Sequence, residues 1–233
     1  MSNGGILLTG GSGQRMRGQV EDKILYTLNG KPVFQYSVEV FCESGLFNEM
    51  VIVHRDKNQR RALETILSKV DFPDMPRISW VIGGNERMDS VHHGFNAFQE
   101  YPEFVFIHDC ARPAISIKLL NELFFDARKH GASCAAHRIV DTIKRATGEA
   151  PFSLEEVSRN GLWGMETPQV FRFSEINEAY KLAMSQGIHI TDDASAFGLT
   201  GKKISLLENA KPNPKLTTPA DIDWLAFLLG REN

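Results

Sequence analysis

Short apolar runs alternate with longer amphipathic stretches from Ile6 to Ala136, and this rhythm constrains the fold more than any other feature of the chain. Ile6-Leu7-Leu8, Met50–His54, Arg77–Ile82, Phe104–Ile107 and Ser133–Ala136 read as buried strands. Between them, Val33, Tyr36, Val40 and Phe41 fall on one face of a helix that Pro32 would open in its first position. Gln59–Val70, Glu86–Phe98 and Ile117–Arg128 read as further helices. A repeated strand-then-helix order predicts a mostly parallel sheet covered on both faces, a doubly wound α/β fold. At 233 residues, positions 1–233 fit a single domain with a full core.

The rhythm breaks between about Ile139 and Val170. Asp141–Arg145, a polar Thr147-Gly148-Glu149 turn and Arg159–Trp163 predict a projecting β-arm at about 139–165. An isolated hairpin cannot bury its own apolar side chains. Ile139, Ile143, Leu162 and Trp163 therefore call for a second copy of the chain. Beyond the arm, Ser174–Met184 and Asp193–Leu199 read as helices and Lys203–Leu207 as a strand. Thr218 is expected to cap a last helix that begins at Pro219.

Composition excludes several classes of function. The net charge of −3 gives no long-range attraction to nucleic acid or anionic membrane. No apolar run approaches the roughly 20 residues that a membrane span needs. The first residues lack a basic stretch followed by an apolar one, so no signal peptide is expected and a cytoplasmic location is. Cys42, Cys110 and Cys134 are odd in number and unpatterned, which argues against a disulfide framework or a zinc site.

The strand Ile6–Leu8 empties into Thr9-Gly10-Gly11-Ser12-Gly13-Gln14-Arg15, with Lys23 a little further on. Closely spaced glycines let backbone N–H groups converge into a nest for phosphate, and Arg15 and Lys23 add positive charge beside it. A nucleoside triphosphate is the expected occupant. This turn, Gly83-Gly84 and His108-Asp109 all lie at strand carboxyl ends, where open α/β sheets bind ligands, so they should meet in one crevice. The loop is neither a dinucleotide fingerprint, because the third glycine is missing, nor a Walker loop, because no Gly-Lys-Ser/Thr follows. His108 reads as a structural neighbour of Asp109, His92-His93 as surface or packing residues, and Asp192-Asp193 as the acidic first turn of a helix.

Taken in order, Gly10–Met16, Lys23, Gly83–Val91, His108–Pro113, Asp141–Lys144, Arg159–Trp163, Thr167-Pro168-Gln169, Thr191–Ser195 and Asn213–Thr217 resemble the 2-C-methyl-D-erythritol 4-phosphate cytidylyltransferases. The resemblance spans nearly the whole chain and implies a Rossmann-like nucleotidyltransferase sheet with the arm serving dimerisation. The implied reaction joins CMP from CTP to a sugar-alcohol phosphate and releases pyrophosphate. The implied catalytic cations are Arg15, Lys23 and Lys215. CTP would be held by Gly10, Gly11, Ser12, Gly13, Gly83, Gly84, Asn85 and Ser90, and Asp109 would help place Mg²⁺. Arg112, Thr142, Arg159 and Thr167 would bind the acceptor, with Thr142 and Arg159 reaching across a homodimer interface into a shared site.

The chain departs from the family pattern in three places. Thr9-Gly10 replaces two alanines, Asp22-Lys23-Ile24 replaces Pro-Lys-Gln, and Asn85 replaces Asp. Asp22 is expected to draw off part of the charge of Lys23. A relative that makes CDP-ribitol from ribitol 5-phosphate is the alternative; Arg159–Trp163 and Thr191–Ser195 favour the methylerythritol acceptor.

Overall fold

The computed structural model describes residues 2–11, 16 and 20–231. In chain order its elements are β1 (Asn3–Leu8), β2 (Thr27–Leu28), β3 (Lys31–Pro32), α1 (Val33–Glu43), β4 (Glu49–His54), α2 (Lys57–Leu67), β5 (Arg77–Ile82), α3 (Arg87–Ala97), β6 (Phe104–Asp109), α4 (Ile117–His130), β7 (Ala132–Arg138), β8 (Ile143–Thr147), β9 (Ser153–Val157), β10 (Trp163–Arg172), α5 (Phe173–Ser185), α6 (Asp193–Gly198), β11 (Ser205–Glu208) and α7 (Ala220–Gly230). Seven strands form the main sheet in the order β11-β7-β10-β6-β1-β4-β5. All neighbours are parallel except β10, which runs antiparallel between β6 and β7.

Strand alternation builds the two cores. Leu7, Met50, Ile52, Phe104 and Phe106 point to the side covered by α1, α2, α4 and α7. Ile6, Leu8, Val51, Val53, Val105 and Ile107 point to the side covered by α3, α5 and α6. Both faces are therefore apolar along β1, β4 and β6, which is why those strands read as unbroken hydrophobic runs. The chain leaves β1 for β4 and β5 on one flank and returns to β6 on the other. This makes the carboxyl end of β1 the switch point, where the crevice lies.

Three sequence expectations need correction here: Pro32 closes β3 and takes the cap position of α1, whose first residue is Val33, and the other two concern the arm and the last helix. Trp163 belongs to β10, a ten-residue strand inside the main sheet, and not to the arm. Pro168, which cannot donate to a ladder, obscures this strand in the sequence; the β7–β10 register shifts around it, between Met165 and Gln169. At the last helix Pro219 occupies the cap position, while Asp221 accepts from the N–H groups of Thr217 (2.8 Å) and Thr218 (2.7 Å). Thr218 donates its hydroxyl to Asp221 instead of capping.

The arm is a separate two-stranded sheet of β8 and β9. Val140, Phe152 and Leu154 are exposed on and beside it, with Leu162 at its base. Cys42, Cys110 and Cys134 are buried free thiols.

Candidate active site

A cavity of about 560 Å³ opens at the switch point and is lined by Gly10, Gly11, Lys23, Arg55, Gly83, Gly84, Asn85, Arg87, Ser90, Asp109 and Lys215, among others. The three strand ends expected to converge do converge there. Thr9, buried at the end of β1, ties the turn to β4 by donating its N–H (3.0 Å) and hydroxyl (2.7 Å) to the Val53 carbonyl. Gly11 then takes φ +132°, a conformation that a side chain would strain, and open space faces its Cβ position. Ser12, Gly13 and Arg15 lie outside the described residues.

The second wall is the turn between β5 and α3. The Ser90 hydroxyl accepts from Gly84 N–H at 3.0 Å, and a Cβ on Gly83 would lie 2.8 Å from that oxygen. A Cβ on Gly84 would come within 2.1 Å of the Asp89 Cβ. The glycines are thus required by the close approach of the first turn of α3. Glu86 and Asp89 cap that helix reciprocally. Asn85 is exposed at the cavity edge.

Asp109 is the buried carboxylate of the site. Its Oδ1 accepts from Arg87 Nε at 3.2 Å and its Oδ2 from Lys215 Nζ at 2.6 Å. Burial alone would raise its pKa, but the two cations hold it well below the usual carboxylate range. Thr167, called on for the acceptor, is buried behind Asp109: its hydroxyl accepts from the Asp109 N–H at 3.0 Å and bonds His108 Nδ1 at 3.1 Å. His108 is wholly buried between Thr167 and Ser37, and burial depresses its pKa to about 3. It is therefore neutral and structural, as the sequence suggested.

Arg112 donates to the Asn213 carbonyl (2.7 Å) and the Met165 carbonyl (3.3 Å), while its buried Nε has no hydrogen-bond partner among the described residues. It stands outside the cavity lining, as does Thr167. Thr142 and Arg159 are exposed at the arm and line no part of the cavity; Arg159 bonds the Val140 carbonyl.

Asp22 has partners of its own. Its carboxylate accepts from Ile24 N–H (3.0 Å) and Gln59 Nε2 (2.8 Å), and Arg55 Nη2 lies 3.3 Å away. Gln59 also donates to the Thr9 carbonyl at 3.0 Å, so the same side chain braces both glycine turn and lysine turn. Lys23 reaches across to the Leu216 carbonyl at 3.1 Å. Arg55 and Tyr180 were not singled out in the sequence, while Asp193 was read only as part of the acidic first turn of α6 and Arg87 only as a member of the Gly83–Val91 segment. Only Arg87, three residues past Gly84, carried a local signal.

No histidine or cysteine lines this cavity among the described residues, whereas four cations do. Chemistry that asks mainly for positioning and neutralisation of charge is phosphoryl transfer. A doubly wound sheet that offers a glycine turn and such a cluster at its switch point suits the binding and transfer of nucleotide phosphates, the chemistry of the nucleotidyltransferases.

Comparison with known proteins narrows the class. The family model for IspD, 2-C-methyl-D-erythritol 4-phosphate cytidylyltransferase, matches residues 5–231. The chain is 33% identical over 231 residues to the enzyme of that name from Clostridium acetobutylicum, covering 99% of both chains. It is 35% identical over 224 residues to that from Geobacillus thermodenitrificans, covering 96% of this chain and 95% of that one. Among solved structures, the 4-diphosphocytidyl-2C-methyl-D-erythritol synthase of Anaerococcus prevotii superposes with a TM-score of 0.83 at 25% identity, covering 99% and 96% of the two chains. The chain belongs to the 2-C-methyl-D-erythritol 4-phosphate cytidylyltransferase family.

Proposed function

We propose that this chain transfers CMP from CTP to 2-C-methyl-D-erythritol 4-phosphate, giving 4-diphosphocytidyl-2-C-methyl-D-erythritol and pyrophosphate. The observation that carries the reading is the meeting of the Gly10-Gly11 turn, the Gly83-Gly84 turn and the Asp109–Lys215 pair in one cavity.

An acceptor phosphate oxygen attacks the α-phosphorus, the new P–O bond forms as the bond to the β-phosphate bridging oxygen breaks, and pyrophosphate departs in line. The attacking phosphate is already ionised, so no general base is needed. The backbone of the Gly10–Gly13 turn would cradle the triphosphate. Arg15 and Lys23 would neutralise charge developing on it. Gly83, Gly84, Asn85 and Ser90 would read cytosine, with Ser90 keeping the turn in shape. Lys215, Arg112 and Thr167 would serve the acceptor, joined by Thr142 and Arg159 from the arm of a second copy in a homodimer.

The site suits Mg²⁺ held largely by the nucleotide. Among the described residues there is no cluster of three or more candidate ligands. Asp109 uses one acceptor position on each oxygen, which leaves it able to give one further ligand. One carboxylate plus substrate phosphates is the usual environment of this ion, which supplies neutralisation of phosphate oxygens. No helix among the described residues is long and apolar enough to cross a membrane. The test is pyrophosphate release with purified protein and Mg²⁺: it should require both CTP and the acceptor, and release in the absence of acceptor would contradict the reading.

A further inference from the structure

Arg87 makes more bonds than an ion pair needs. Its Nη1 and Nη2 meet Asp193 Oδ1 and Oδ2 at 2.9 and 2.7 Å, and its Nε meets Asp109 Oδ1 at 3.2 Å. Asp193 is wholly buried and also accepts from the Tyr180 hydroxyl, itself buried. The residues around Asp193 are pinned too. Asp192 caps α6 by accepting from Ser195 N–H at 2.9 Å, and Gln169 of β10 accepts from Ala194 N–H at 2.9 Å while donating to Asp192 at 3.0 Å. A continuous line of hydrogen bonds thus runs from Tyr180 through Asp193, Arg87 and Asp109 to Lys215, which is partly exposed in the cavity.

The geometry points to Arg87 as a positioning residue for the acceptor half of the site. The bidentate grip of Asp193 fixes the guanidinium plane and leaves Nε to hold Asp109. With Asp109 fixed through Oδ1, its Oδ2 orients the Lys215 ammonium. Because Arg87 takes a share of the Asp109 charge, Lys215 keeps net attraction for an incoming phosphate. Arg87 also begins α3, directly after the turn that takes the nucleotide, so one residue joins the two halves of the cavity. This inference rests on the cytidylyltransferase reading.

The test is Arg87→Lys, Lys215→Ala and the double variant, each measured for melting temperature, CTP affinity by calorimetry, and acceptor KM and kcat from pyrophosphate release. Lysine keeps the charge but cannot grip Asp193 at two points and Asp109 at a third. Arg87→Lys should bind CTP within threefold of wild type yet lose at least tenfold in kcat/KM for the acceptor. The double variant should be no more than twofold worse than Lys215→Ala. Losses that multiply in the double variant, or a loss confined to CTP affinity and melting temperature, would overturn the assignment. If Arg87→Lys does not fold, Asp193→Asn carries the same readout: an acceptor-specific loss supports the clamp, and an unchanged acceptor kcat/KM refutes it. A wild type without turnover would remove the cytidylyltransferase reading itself, whereas an active wild type with multiplying losses removes only the clamp.

Discussion

Replacing Asp193 by alanine should cost more stability than replacing any other polar residue of α6. The carboxylate has no exposed surface, carries both terminal nitrogens of Arg87 and accepts the Tyr180 hydroxyl. Removing one partner of a buried ion pair typically costs about 3–5 kcal/mol, because the remaining charge is left buried. Arg87 retains Asp109, and its side chain is 28% exposed, which pulls the estimate toward the lower end. The stranded Tyr180 hydroxyl adds roughly 1 kcal/mol or more. A loss of about 4 kcal/mol is expected, equivalent to a fall of roughly 8–16 °C in melting temperature for a chain of this size. Urea unfolding followed by circular dichroism measures it. The neighbouring Asp192→Ala removes a helix cap and should cost only about 1–2 kcal/mol. A loss below about 1 kcal/mol for Asp193→Ala, or one equal to that of Asp192→Ala, would refute the buried-pair account.

His108 gives a pH window. Burial lowers its folded pKa from 6.5 to about 3, so the unfolded chain takes up the proton first and stability falls as pH drops below 6.5. Between pH 6.5 and 5 this amounts to about 2 kcal/mol, which His108→Gln should abolish relative to wild type; equal urea-midpoint shifts in the two proteins would contradict it. Asp109 acts in a separate window: its depressed pKa gives stability that persists above about pH 4 and is lost only below. If the proposed homodimer shares its sites, mixing inactive Lys23→Ala and Arg159→Ala proteins under subunit exchange should restore about a quarter of wild-type activity, since half of the dimers regain one intact site of two. No recovery despite confirmed exchange would count against sharing.

The parts of the fold legible in the sequence are those with a local cause. β1, β4 and β6 announce themselves because both of their faces are buried, and Asn29-Gly30 marks the β2–β3 turn, where both residues take positive φ. β10 was hidden because Pro168 breaks its apolar run, although Thr167 beside it supplies the hydroxyl that holds Asp109. The cavity-lining glycines were legible from strand ends alone. The clamp was not: Arg87 meets Asp193, and Lys215 meets Asp109, across 106 residues in each case, and no periodicity encodes a contact of that range. The expectation that Asp22 would draw on Lys23 failed to foresee Gln59 and Arg55, which approach from α2 and the end of β4.

The identity of the acceptor is tested by pyrophosphate release from CTP and Mg²⁺ with 2-C-methyl-D-erythritol 4-phosphate and ribitol 5-phosphate in parallel. kcat/KM should be higher with the methylerythritol phosphate. Faster turnover with ribitol phosphate, or no turnover with either, would contradict it.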